Sequence, residues 1–217
     1  MLRDAALIAR KDLLLELRRR EVVLSMTLLV LGTVVIGGLL LGQAEPRVAA
    51  AVLWIAILFT ASVGLARAFA SEFEDGAFDA VSLAVRDRSS IFIGKAAAQG
   101  VFLLVMEAIA VPAFLLASTS ADAAVVLQVA LVALVADIGL AAVGVLVAAL
   151  AAGARARELL MPVLLVPVAT PLVLAGVTGT AAALEGGSIA RPLAFLVLYG
   201  TLFSALAWGT FEQVIGD

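Results

Sequence analysis

Six long apolar runs, separated by polar segments of very unequal length, organise this chain. They lie at about Val22–Gly42, Val48–Ala66, Ala96–Ala117, Ala123–Ala152, Leu159–Thr180 and Leu193–Phe211. Each is close to or above the roughly 20 mostly apolar residues that a bilayer-spanning α-helix requires. The fourth run exceeds a crossing, which predicts a tilted helix or one that continues past the bilayer. Two polar segments are more than turns: the N-terminal residues 1–21 and the segment 67–95.

The opening MLRDAALIARKDLLLELRRR reads as a helix. At 100° per residue Leu2, Ala6, Ala9, Leu13 and Leu17 fall within about 80° of one another, with charges over much of the remaining surface. Arg18, Arg19 and Arg20 then stand where headgroup phosphates would be, so residues 1–21 are expected to lie in the membrane interface before turning into the first span. The alternative is a frayed basic tail, and Leu7 and Leu14 spoil the regularity of the apolar face.

The segment 67–95, RAFASEFEDGAFDAVSLAVRDRSSIFIGK, also has a helical period. Glu72, Asp75, Asp79, Ser82 and Arg86 recur every three or four residues as a polar stripe, and Phe69, Phe73, Ala77, Ala80 and Ala84 form an opposing apolar one. Gly76 interrupts the pattern and marks a joint between two helical pieces. Arg86-Asp87-Arg88-Ser89-Ser90 reads as a polar turn into the third span. A connection near thirty residues is long between neighbouring helices, and Phe69, Phe73 and Phe78 need a surface to cover them. Both observations favour a segment that docks on a partner over a merely solvated loop.

Composition fixes the solvent. Of 217 residues 64% are hydrophobic and 14% charged, with a mean hydropathy of +1.19. A soluble domain of this length cannot hide that much apolar surface, so lipid must surround most of it. The expected fold is an all-α membrane protein, one permease domain over residues 1–217. No cleavable signal peptide is expected, because about twenty mixed and charged residues precede an apolar run too long for a signal core.

The 14 Lys and Arg residues orient the spans. Arg3, Arg10, Lys11, Arg18, Arg19 and Arg20 precede the first; Arg67, Arg86, Arg88 and Lys95 follow the second; Arg155 and Arg157 follow the fourth. With six spans all of these share one side, leaving Arg47 and Arg191 on the other. By the positive-inside rule both termini and segment 67–95 are cytoplasmic.

Much chemistry is excluded. The chain has no Cys and no His, so disulfides, thiolate chemistry, imidazole bases and the commonest metal ligands are absent, and no metal site is expected. No GxxxxGK[ST] phosphate loop exists: Ser89–Lys95 ends in Gly-Lys, but the first glycine is missing and Ala96 stands where Ser or Thr belongs. The chain is therefore expected to be non-catalytic. Two carboxylates, Glu107 in the third span and Asp137 in the fourth, lie at a depth where charge is costly. They are expected to face the bundle interior, as a step on a transport or proton pathway or as interhelical hydrogen bonds. Pro162, Pro167 and Pro171 crowd the fifth span, which predicts a kinked helix packed inside the bundle. Gly139, Ala142, Gly144 and Ala148 of the fourth span allow close helix contact.

This layout resembles the membrane subunits of type-2 ABC transporters, in which a loop between the second and third spans docks on the ATPase subunit. Here Glu72-Phe73-Glu74-Asp75-Gly76-Ala77-Phe78-Asp79 stands in that place, with Gly94-Lys95 before the next span. More narrowly, the chain is similar to the CcmB family of cytochrome c maturation, also called haem exporter protein B. The pieces that carry the likeness are Arg10-Lys11-Asp12-Leu13 with Arg18-Arg19-Arg20, then Phe73-Glu74-Asp75-Gly76-Ala77-Phe78. The more specific one is Arg157-Glu158-Leu159-Leu160-Met161-Pro162 running on to Pro167 and Pro171. The proline often found after the coupling helix is missing, replaced by Val85-Arg86-Asp87-Arg88.

The resemblance implies a permease subunit of the bacterial cytoplasmic (inner) membrane, working as a homodimer or pseudo-dimer with a separate ABC ATPase and with haem-handling membrane proteins. Glu72, Phe73, Glu74, Asp75, Gly76, Phe78, Asp79 and Arg86 would dock on the ATPase. ATP would bind to that partner and drive delivery of haem or release of a haem-loaded chaperone. Without His or Cys the usual axial ligands of haem iron are missing, so no stable haem site is expected on this chain, and no nucleic-acid partner. Two other readings stay open: a type-2 permease for another substrate such as a lipid or drug, and a proton-coupled secondary transporter using Glu107 and Asp137.

Overall fold

A computed structural model of the chain describes residues 1–18, 20–41, 45–69, 83–85, 87–117, 122–152, 154 and 156–216. The long elements among these residues are all helices: α1 (Leu2–Arg18), α2 (Arg20–Leu41), α3 (Pro46–Arg67), α4 (Ser89–Ala117), α5 (Ala123–Ala152), α6 (Arg157–Leu184) and α7 (Ala190–Gly216). Five of them, α3 to α7, are long and apolar enough to cross a membrane; the described apolar stretch of α2 is the shorter Met26–Gly37.

Several helices outrun the apolar runs that foretell them, because hydropathy marks where lipid begins and not where hydrogen bonding ends. The clearest case is α4, which starts at Ser89, seven residues before the apolar run at Ala96. Asp87 starts it: its carboxylate accepts from the Ser89 backbone N–H at 2.9 Å, and its carbonyl accepts from the Ser90 backbone N–H at 3.0 Å and from the Ser90 hydroxyl. Such a carboxylate satisfies a donor that the first helical turn would otherwise leave open. Segment 67–95 is thus shorter than its polarity suggests, since Arg67 ends α3 and Ser89–Lys95 form the first two turns of α4. At the other end, α1 is described to Arg18 and α2 from Arg20, and Arg19 between them lies outside the described residues.

Helix α5 is the axis of the bundle. It packs against α3, α4, α6 and α7, and more of it is buried than of any other span. Small residues make this possible, because lipid tails supply no hydrophobic drive between helices and close van der Waals contact must hold them. At Gly139 the backbones of α5 and α7 meet: a Cβ there would lie 3.1 Å from Gly200 Cα and 2.9 Å from Leu172 Cδ1. One turn or so further along, Gly144 receives the side chain of Leu65, which a Cβ would meet at 2.3 Å. Between α3 and α6, Gly176 accommodates the Trp54 indole, and Trp54 Nε1–H donates to Thr180 Oγ1 at 3.0 Å. A buried indole needs that acceptor. The Tyr199 hydroxyl of α7 donates to the Val168 carbonyl of α6.

Two sequence expectations change here. Helix α6 is continuous through Pro162, Pro167 and Pro171, but it is not enclosed. Its buried stripe is Met161, Leu165, Ala169 and Leu172, spaced to lie on one face, while Pro167 and its neighbours Val163, Leu164 and Val166 are exposed. The prolines flank the packed stripe, so the bundle does not close over them. In α1 the buried residues are Ala5 and Ile8, whereas Leu2 is 77% exposed, Ala6 is exposed and Ala9 and Leu13 are half-buried. The cause is a neighbour: α1 lies along α4, and Gly94 leaves room for it, since a Cβ there would be 2.7 Å from the Ala5 carbonyl and 2.8 Å from Ile8 Cβ.

Candidate functional site

The docking residues expected from sequence, Glu72, Phe73, Glu74, Asp75, Gly76, Phe78, Asp79 and Arg86, lie outside the described residues. What the structure describes is the frame from which that segment emerges, and Lys95 is its centre.

Lys95 is 2% exposed. Its ammonium is 3.2 Å from Asp12 Oδ2 of α1, donates to the Ala68 carbonyl just past the end of α3, and sits 4.4 Å from the centroid of the Phe69 ring. One cation therefore ties together the N-terminal helix, the chain entering segment 70–88 and the helix leaving it. A buried charge is tolerated only when it is paired and hydrogen-bonded, and here an ion pair, a helix-end carbonyl and a π-face surround it. The Ala68 carbonyl lies at the negative end of the α3 dipole, which favours a cation there. Asp12 is held from a second side by Lys11 Nζ at 2.9 Å.

Helix α7 joins the same frame. Phe211 packs on Phe69 and on Phe92 with ring centroids 6.4 and 5.3 Å apart, within the range of favourable aromatic pairs. Beside them Ser89 Oγ donates to Glu212 Oε1 at 3.3 Å. The two ends of segment 70–88 thus share one support built from α1, α4 and α7. Sequence reasoning placed Phe69 and Lys95 in a polar loop and did not find Asp12, Phe92, Phe211 or Glu212. A signal existed for Asp12, an acid on the inner side of a basic helix, but nothing in the sequence pairs it with a lysine 83 positions away.

The second candidate feature lies inside the bundle. Glu107 of α4 and Asp137 of α5 are 6% and 3% exposed, and they are neighbours inside the bundle. Glu107 Oε1 and both Asp137 carboxyl oxygens have no hydrogen-bond partner, and neither residue forms an ion pair among the described residues. Glu107 also borders a small cavity with Val30, Ile57, Thr60 and Met106. The structure therefore brings together two residues that the sequence could only place at similar depth. Among the described residues no group of three His, Cys, Asp or Glu side chains gathers as a metal site would require.

Comparison with known proteins gives one family, described as CcmB protein, which matches residues 3–214. No curated protein matches the chain.

Proposed function

The chain belongs to the CcmB family, and from that premise we propose that it couples ATP hydrolysis on a partner subunit to haem delivery, or to release of a haem-loaded chaperone, during cytochrome c maturation. Family membership makes it a multi-pass membrane component of a haem-exporter ABC system. Its finer role is our reading. Segment 70–88 docks on the ATPase through Glu72, Phe73, Glu74, Asp75, Gly76, Phe78, Asp79 and Arg86, and Pro162, Pro167 and Pro171 bend the fifth span of the membrane domain. We further read α2 as the first of six spans, both termini and segment 70–88 as cytoplasmic in the inner membrane, and 1–217 as one permease domain that pairs with a second permease chain. ATP binds to the partner, and this chain holds no stable haem.

The observation that carries the coupling reading is the frame around Lys95. A segment that receives motion from a partner transmits it only through a stiff connection. Both ends of 70–88 are fixed to α1, α4 and α7 by the Lys95–Asp12 pair and the Phe69–Phe211–Phe92 stack. A plain solvated loop has no need of a buried lysine at its base.

The test reverses the charge of the docking stripe. Asp75→Lys with Asp79→Lys is expected to abolish co-purification of the ATPase in mild detergent and to stop cytochrome c assembly, with the chain still present in the membrane. If both survive the double substitution, the docking role is wrong. Purified chain carrying stoichiometric haem in its absorbance spectrum would overturn the statement that it holds none.

A further inference from the structure

The first half of α6 has a face that the described residues leave open. Leu159, Val163, Pro167, Thr170 and Leu174 fall within about 80° of one another at 100° per residue, and all of them are exposed. From Ala175 to Thr180 the same helix is mostly buried, so the opening is confined to residues 159–174.

The prolines make this face different from an ordinary lipid-facing one. Proline has no backbone N–H, so Pro171 leaves the Pro167 carbonyl without its helical donor, and Pro167 does the same to the Val163 carbonyl. Both carbonyls belong to residues of the open face. The apolar span begins at Leu159, which puts Val163 and Pro167 about 6 and 12 Å along it at roughly 1.5 Å per residue, inside a hydrocarbon core about 30 Å thick. Lipid tails offer no donor, and a backbone acceptor left open among them is costly. The neighbouring hydroxyls are engaged elsewhere. Thr170 Oγ1–H goes to the Val166 carbonyl at 2.7 Å, which already has the Thr170 backbone N–H as its helical donor. The Tyr199 hydroxyl of α7 goes to the Val168 carbonyl. The open face therefore calls for a donor from outside the chain.

The same face carries such a donor. Side chains on a helix lean toward its N-terminus while its carbonyls point toward the C-terminus, so the Thr170 hydroxyl and the Pro167 carbonyl oxygen lie at nearly the same height. Two parallel α6 helices, related by a two-fold axis along the membrane normal, set each Thr170 opposite the Pro167 of the other. Donor and acceptor on one patch make that patch complementary to itself, as an isologous contact requires. We propose that residues 159–174 of α6 form the contact between two copies of this chain. Each Thr170 hydroxyl turns from Val166 to the Pro167 carbonyl of the other copy, and Leu159, Val163 and Leu174 pack around it. The Val166 carbonyl keeps its backbone donor, so the turn costs it little. The proposal rests on the reading that the chain pairs with a second permease chain, and it is separate from what docks on segment 70–88.

The chain has no cysteine, so single cysteines report the contact cleanly. The full chain is reconstituted in vesicles of phosphatidylethanolamine and phosphatidylglycerol and oxidised. Val163→Cys and Leu174→Cys are expected to give cross-linked dimers, and Leu198→Cys, exposed on α7, none. Dimer affinity is then read by single-molecule photobleaching as the chain is diluted in lipid. Thr170→Val, and Pro171→Ala, which returns an N–H to the Pro167 carbonyl, are each expected to weaken pairing about three- to tenfold, the range of one interhelical hydrogen bond in a membrane. Thr210→Val removes an exposed hydroxyl with the same intrahelical bond on α7 and should leave pairing unchanged. Thermal unfolding separates lost pairing from lost folding: Pro171→Ala adds a backbone hydrogen bond and should not lower the midpoint, so it carries the test if Thr170→Val folds poorly. No cross-link from either α6 cysteine would overturn the contact; a dimer by photobleaching would then leave the pairing itself intact, and a monomer at every dilution would overturn both. Unchanged affinity of Thr170→Val and Pro171→Ala, or cross-linking of the α6 cysteines to a different protein in cell membranes, would also overturn the proposal.

Discussion

Replacing Lys95 by Met tests whether one buried cation fixes the base of the coupling segment. Methionine keeps most of the apolar stem and removes three contacts at once: Asp12 at 3.2 Å, the Ala68 carbonyl, and the Phe69 ring at 4.4 Å from the ammonium. Breaking a buried ion pair by deleting one partner costs about 3–5 kcal/mol, chiefly because the remaining charge is stranded. Here the stranding is incomplete, since Lys11 Nζ remains 2.9 Å from the other Asp12 oxygen. The cost should therefore fall to about 2–3 kcal/mol, part of it the cation–π contact of about 0.5–2 kcal/mol. For a chain of this size each kcal/mol moves the midpoint by roughly 2–4 °C, so thermal unfolding in a fixed detergent should shift down by about 5–10 °C. Asp12→Asn alone should cost less, because an amide oxygen still accepts from Lys95. The double substitution should show a coupling energy of about 1–2 kcal/mol, the size found for residues in direct contact. Additivity to within about 0.5 kcal/mol would mean that the two residues do not act on each other. The idea of a shared support for α1 and segment 70–88 would then be refuted.

Other perturbations follow from the same geometry. Glu107→Gln keeps a donor and an acceptor opposite Asp137 and should change unfolding by less than about 1 kcal/mol. Glu107→Leu removes the polar neighbour of the buried Asp137 carboxyl and should cost about 1–3 kcal/mol; equal effects of Gln and Leu would show that the two acids do not interact. Gly176→Ala places a Cβ 2.3 Å from the Trp54 ring, which is also pinned by Thr180, so it should destabilise by about 1–3 kcal/mol as overpacked cores do. Gly32→Ala, where nothing lies within 4 Å, should instead be neutral or stabilising by up to about 1 kcal/mol, the helix-propensity difference. If the two glycine variants unfolded at the same temperature, the α3–α6 contact at Trp54 would be wrong.

The sequence determined the solvent and the helical plan of this chain. Apolar runs of about span length leave helices as the answer, because a membrane-spanning backbone must satisfy its own hydrogen bonds and these runs show no strand-like alternation. It also marked the odd residues. Glu107 and Asp137 stand out because charge is costly at that depth, and Gly139 and Gly144 because a small residue lets helices approach. The ends of the helices were less legible. Ser89–Lys95 look polar, yet they are helical because Asp87 caps them and Ile91 and Phe92 are buried.

Only the tertiary structure decided which residues meet. Amphipathic periodicity gave α1 an apolar face at Leu2, Ala6 and Ala9, but a helix on a protein buries whichever side finds a matching hollow. That side is Ala5 and Ile8, over Gly94. The same limit applies to α6, whose prolines suggested an enclosed helix and instead flank its packed stripe. It applies most to charge. In a sequence Lys95 is one of fourteen basic residues and Asp12 one acid in a basic helix; their pairing depends on α1 folding back along α4, a contact between chain positions 83 apart. Periodicity records the direction in which a side chain points from its own helix axis. What waits at the other end of it is set by how the helices pack.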